Sequence, residues 1–264
     1  MKKLSAILLV LCCPAFAFPQ QGTVKAGYAV VTPLTSGKFT VSETFGLKIA
    51  SDSMQAGTPG ADLTTNAILF VNASDRLGRN SGIAFMNPWN QYARITMTVR
   101  REDGVILGSK TIFVPQHSQI SQLVTQLFSD LQGFPKELTG MMAVKSSLPV
   151  GVVALRFRGA IFSTEPITRL DQATSLPVLL PGVGGGGAVV FPQFAVGAGW
   201  ATEFVIANLD TIPLRFRIDI FTQDGSPMPV SLNGKTASTF FDLLVFSGGV
   251  LTVAPRDANG DSQF

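Results

Sequence analysis

The sequence predicts an all-β protein: two β-sandwich units in tandem, with one short helix and a cleaved N-terminal signal helix. Three observations carry this expectation. Short runs of β-branched and aromatic residues recur along the chain, as at Ile68 to Val71, Ile95 to Val99, Thr111 to Val114, Val150 to Phe157, Phe204 to Ile206 and Phe216 to Phe221. Several alternate strictly: Ile95, Met97 and Val99 with Thr96 and Thr98, and Phe216, Ile218 and Ile220 with Arg217 and Asp219, so one face meets a core and the other meets water. Asp103-Gly104, Asp224-Gly225 and Asn233-Gly234 punctuate these runs with residues that tolerate the positive φ of tight hairpins.

The chain opens on Lys2 and Lys3, then an apolar run from Leu4 to Cys13 broken only by Ser5, then Pro14 and Ala15-Phe16-Ala17. A positive start, a short apolar stretch and a small-x-small site predict a secretory signal cleaved after Ala17. The chain is therefore expected to be exported, to the periplasm, cell surface or medium. Removing 17 of the 264 residues leaves 247, enough for one large β domain or two ordinary ones. Both cysteines, Cys12 and Cys13, leave with the signal, and with them any disulfide or thiolate metal site. Two lysines leave as well, so the net charge falls from +3 to +1 and no basic stripe is left to hold nucleic acid. No later apolar run reaches membrane-spanning length.

Residues 22–181 are expected to form the first β-sandwich region, including an N-terminal hairpin. Residues 182–187 form a Gly-rich linker, 188–255 the second unit and 256–264 a polar tail. Within the first region, Ile120, Leu123, Val124, Leu127 and Phe128 follow helical spacing after Ser118 and before Gly133 and Pro135, predicting a helix over 119–131. A shift of 121 residues superimposes Gly78 on Gly199, Asn87 on Asn208, Arg94 on Arg215, Asp103 on Asp224 and Gly104 on Gly225. A shift of 114 sets Ala29 on Ala143, Val30 on Val144, Leu34 on Leu148 and Gly37 on Gly151.

Ser81-Gly82-Ile83-Ala84-Phe85-Met86-Asn87-Pro88, Ala154 to Gly159 with Phe162-Ser163-Thr164, and Phe191 to Ala195 followed by Gly197 to Thr202, Gln223-Asp224-Gly225 and Gly248 to Leu251 carry a resemblance. They are similar to a repeat in exported tandem β-sandwich proteins of soil bacteria, especially acidobacteria. The resemblance spans about residues 26–264 and departs from the pattern at Leu209, where a Pro after the Asn is typical. It implies immunoglobulin- or fibronectin-like sandwiches outside the cytoplasm, with no established function and no catalytic residues to carry over.

The residues themselves offer little chemistry. His117 is the one histidine, set in a turn before the expected helix, so a triad or a zinc site has nothing else to lean on. Glu102-Asp103, Asp130, Glu137, Glu165, Asp171, Glu203 and Asp219 are scattered and read as solvated surface acids. Asp257, Asn259 and Asp261 space oxygens like the start of a calcium loop without its sixth Gly or twelfth Glu. The expected function is therefore that of a non-enzymatic structural or adhesive module without cofactor or metal. Its partner would be an extracellular protein or polysaccharide. The alternative is a carbohydrate-binding module using Trp89, Tyr92 or Trp200 as stacking surfaces.

Overall fold

The computed structural model describes residues 42–49, 52–59, 61–170, 175–180, 182–186, 191, 194–197, 201–223 and 225–262. The signal with its cysteines and Ala17, residues 29–37 of the 114-residue match, Asp171, Gly199, Trp200 and Asp224 lie outside them.

The fold is nearly all β, in several antiparallel sheets. The strands are β1 (Ser42–Ile49), β2 (Asp52–Pro59), β3 (Thr64–Ala73), β4 (Arg79–Asn87), β5 (Ala93–Arg101), β6 (Ile106–Val114) and β7 (Ser118–Leu123). A single helical turn, α1 (Val124–Leu127), precedes β8 (Leu138–Arg158), β9 (Ile161–Glu165) and β10 (Ile167–Arg169). Then come β11 (Ser175–Leu180), β12 (Val183–Gly186), β13 (Phe204–Ala207), β14 (Leu214–Asp219), β15 (Val230–Leu232), β16 (Lys235–Ala237), β17 (Thr239–Val245) and β18 (Val250–Val253).

β8 organises the largest of the sheets described. Its first half lies between β3 and β5, with Leu69 and Val99 both opposite Met142. Its second half pairs with β4 and β9. β6 extends the β5 edge, β10 the β3 edge and β7 the β4 edge. Alternation then decides burial. Ala67, Leu69 and Val71 of β3, Ile95, Met97 and Val99 of β5, Ile83 and Phe85 of β4, and Met142, Val144, Val150 and Val152 of β8 enclose one core. This arrangement is compatible with a β-sandwich.

The helix expected over 119–131 is corrected by the structure. Residues 118–123 are strand β7, registered on β4 from Asn87 opposite Ser118 to Gly82 opposite Leu123. Only Val124–Leu127 is helical, with Gln126 Oε1 accepting the Leu123 N–H at 3.1 Å. The apolar spacing is real, since Val124, Leu127 and Phe128 do enter the core. Backbone pairing with β4 overrides the helical period at Ile120, and Ser118 Oγ donates to the Pro115 carbonyl instead of capping a helix.

A separate core gathers Ile220, Val230, Leu232, Phe240 and Val253, with Phe204 and Phe194 packed against it. β13 pairs with β18, β14 with β17, and β15 with β16 across Asn233-Gly234, whose φ values of 47° and 76° suit a two-residue hairpin turn. Residues 183–186 of the expected linker form β12, paired with β11. The expected polar tail also folds back: Arg256 bridges to Ser262.

A third apolar cluster forms a seam between β3–β8 and β13–β18. Val250, Val205 and Ala207 lie on the outer face of the β3–β8 sheet, against Ile68, Phe70, Met141 and Ala143. At one end the β5–β6 turn meets the β17–β18 turn, where the Val250 N–H donates to the Glu102 carbonyl at 3.0 Å. The chains approach so closely that a methyl on Gly249 would overlap the Glu102 carbonyl oxygen. Gly249→Ala is therefore expected to cost about 1–3 kcal/mol by forcing the turns apart. Hydrogen exchange should quicken at the Val250 amide, which donates this bond, and stay unchanged at the Ile95 to Val99 core; uniform quickening throughout the chain would refute a local effect.

Candidate functional site

Two places concentrate the polar side chains that alternation leaves over. The first is the corner between β4 and β5. Asn87 is fully buried at the end of β4. Its Nδ2 donates to the carbonyls of Gln91 at 2.7 Å, Val114 at 3.1 Å and Pro115 at 3.0 Å, and its Oδ1 accepts from the Trp89 N–H at 3.1 Å. Such a corner gives backbone groups turned away from any strand the partners they need. Asn208, at the end of β13 and also fully buried, does the same: Nδ2 donates to Ile212 O at 2.8 Å and Val245 O at 3.0 Å, and Oδ1 accepts from Asp210 N–H at 2.9 Å.

The Asn87 corner holds three residues singled out in the sequence. Trp89 is 41% exposed and its indole N–H donates to the Pro149 carbonyl at 2.6 Å. Tyr92 is 65% exposed. His117, at φ 49°, donates its backbone N–H to the Trp89 carbonyl at 3.2 Å. The structure thus brings Trp89, Tyr92 and His117 to one corner. The Asn208 corner also exposes apolar side chains, Leu209 and Ile212.

The second place is the seam. Arg156 of β8 reaches Glu165 at 3.0 Å and Glu203 at 2.9 Å, and its guanidinium carbon lies 4.7 Å from the centre of the Phe70 ring. All three charged side chains are largely buried. Glu165 and Glu203, expected as solvated surface acids, are corrected here to members of a buried ion-pair set. Burial pushes the Glu165 carboxyl above the ordinary glutamate range, and the Arg156 charge opposes that shift.

Beside this set, a cleft of about 600 Å³ is lined by Phe70, Asn72, Arg79, Glu102, Glu203 and Asp261 among others. Its cations are committed to protein groups. Arg76 holds Asp261 in a two-pronged pair at 2.8 and 2.9 Å, Arg79 donates to Ser262 O at 2.6 Å, Arg101 pairs with Asp103, and Arg256 donates to Asn233 Oδ1 at 2.8 Å. Burial pushes the Glu102 carboxyl up as well, while the Arg76 hydrogen bonds hold Asp261 below its usual range. Two of the three side chains that resembled a calcium loop are engaged: Asp257 Oδ1 accepts the N–H groups of Asn259 and Asp261, and Asp261 faces Arg76. Among the described residues no three His, Cys, Asp or Glu side chains gather as metal ligands, and no helix is long and apolar enough to cross a membrane.

Reasoning from the sequence found the exposed corner but missed the ion-pair seam. Arg156 and Glu203 stand 47 residues apart. The one signal was that Arg156 and Glu165 flank the Gly159 hairpin on adjoining strands. No family model, curated protein or solved structure matches this chain.

Proposed function

We propose that this is an exported, non-enzymatic structural or adhesive protein, built from two immunoglobulin-like β-sandwich units that repeat one another. One observation carries the reading: each unit bolts a corner with a buried Asn, and each corner presents apolar side chains to solvent, Trp89 and Tyr92 in one, Leu209 and Ile212 in the other. Loops fixed by buried hydrogen bonds lose little entropy on binding, which suits recognition of a surface by stiff modules. The exposed Trp89 and Tyr92 favour a second reading, a carbohydrate-binding module, because aromatic faces stack on pyranose rings.

The test is binding of the chain from residue 18 onward to intact cells and to a polysaccharide array. The adhesive reading expects cell binding that falls about tenfold in a Trp89→Ala/Tyr92→Ala variant, the equivalent of roughly 1.4 kcal/mol, with the β fold retained by circular dichroism. Binding to isolated polysaccharide with the same sensitivity would select the carbohydrate module. Turnover of any polysaccharide, or no binding to either, would overturn both.

A further inference from the structure

The cleft beside the Arg156 ion pairs continues the seam between the outer face of the β3–β8 sheet and β13–β18. Glu102 of the β5–β6 turn and residues Gly260 to Ser262 also line it. Its volume of about 600 Å³ suits a small molecule, for which sites run roughly 300–1,000 Å³.

Two of the atoms in its lining residues are buried and without a hydrogen-bond partner. Asn72, near the end of β3, is 6% exposed, and its Oδ1 accepts no hydrogen bond. Arg79, at the start of β4, donates from a terminal nitrogen to the Ser262 carbonyl, yet its Nε donates to nothing. The turn between β3 and β4 keeps these residues near one another. Ser74 and Arg79 form a bridge, and the Asn72 N–H donates to Ser81 Oγ at 2.9 Å. Buried polar atoms without partners weaken a fold. An unused acceptor and an unused donor in one cleft fit a ligand that both donates and accepts.

The surrounding charges select the kind of ligand. Four arginines line the cleft against three glutamates and one aspartate, so the formal charges cancel. An anion would meet the carboxylates, and a cation would meet the guanidinium groups. A hydroxyl group suits both. Its oxygen donates to one partner while accepting from another. Neighbouring hydroxyls extend the match, because a carboxylate accepts from two of them and a guanidinium donates to two. Phe70, Leu77 and Leu107 in the same lining supply apolar surface for the C–H faces of a sugar ring.

We infer that this cleft binds a neutral sugar, one ring hydroxyl donating to Asn72 Oδ1 and the same or an adjacent hydroxyl accepting from Arg79 Nε. The site is separate from the corner of Trp89 and Tyr92, and the inference does not rest on the adhesive reading.

The test is nitrogen-edited NMR of the protein titrated with glucose, galactose, cellobiose and maltose, beside glucosamine and glucose 6-phosphate as charged counterparts. At least one neutral sugar is expected to move the Asn72 side-chain amide and Arg79 Nε–H signals saturably. Movement by the disaccharides alone assigns a glycan chain, and movement by the monosaccharides as well assigns a free sugar. Asn72→Leu removes the acceptor at similar size. It is expected to weaken the binding at least tenfold, with a melting temperature equal to or above that of the wild type, because the unused acceptor is gone. Arg79→Lys keeps the charge but not the Nε donor, and it should weaken the same binding at least tenfold. Trp89→Ala/Tyr92→Ala should leave the titration unchanged. The inference is overturned if no neutral sugar moves the two signals, if a charged counterpart binds more tightly, or if binding survives Asn72→Leu. A melting temperature below wild type in Asn72→Leu would give Asn72 a structural role and overturn it as well. Cell binding is read separately: its loss in the Trp89→Ala/Tyr92→Ala variant bears on the adhesive reading alone.

Discussion

Replacing Arg156 by Met is expected to destabilise the protein by about 3–5 kcal/mol, because it leaves two buried carboxylates without their shared counter-charge. The effect should depend on pH in a defined direction. The folded Glu165 carboxyl already titrates above the ordinary glutamate range, so its contribution to stability is fully present below that range and is lost as pH rises through its raised value. Removing Arg156 takes away the charge that opposes this rise, so Glu165 is raised further. Urea melts of Arg156→Met should therefore show a larger deficit at pH 7 than at pH 4, and adding Glu165→Gln should recover part of it at pH 7. A deficit of equal size at both pH values would mean that the guanidinium acts through its packing on Phe70 and not through charge.

Asn87→Ala should cost about 1–3 kcal/mol, since it strips the buried Val114 carbonyl of its donor and takes partners from the half-buried bonds to the Gln91 and Pro115 carbonyls and the Trp89 amide. Asn87→Asp should be worse than Ala despite its near-identical shape. It keeps the acceptor for Trp89 but turns a carboxylate on carbonyl oxygens that need a donor. Thermal melts of the two variants give the order, and an Asp variant as stable as wild type would sink this account of the corner. The same change at Asn208 should loosen β13 and β14 in hydrogen exchange while leaving β5 protected.

Strand positions were legible where one face is wet and the other dry. Ile95, Met97 and Val99 announce themselves because Thr96 and Thr98 lie between them, and the Asp103-Gly104 and Asn233-Gly234 turns fall where their backbone freedom is needed. At residues 118–128 strand and helix patterns overlap: Ile120 belongs to a strand, whereas Val124, Leu127 and Phe128 belong to the turn that follows. Only the β4 partner decides between them. Glu203 was illegible as a buried acid, because nothing near it in sequence names Arg156, and at Glu165 the one sign was the Gly159 hairpin that sets the two on adjoining strands. Burial of charge is a property of contacts between distant strands, and local composition reads every acid as wet. Trp89 and Tyr92 were legible as exposed because they follow an Asn-Pro turn, but the hydrogen bonds that hold Trp89 to Pro149 and His117 were not.

The 21-residue strand β8 also sets the timing of folding. Among the described residues β3, β4 and β5 make no ladder with one another; β3 and β4 touch at the Ser74–Arg79 bridge and through Asn72 and Ser81, and sheets form when residues 138–158 reach all three. The contacts between Thr64 and Val150 close a loop of more than eighty residues, an entropic cost of roughly 4 kcal/mol before any reward. A nascent chain that has extruded β3 to β7 therefore holds hairpins and no closed core. It remains threadable, and high contact order makes its closure slow. For a chain expected to pass through a translocation channel, that delay is a working property: the segment that locks the fold is among the last of the first unit to be made.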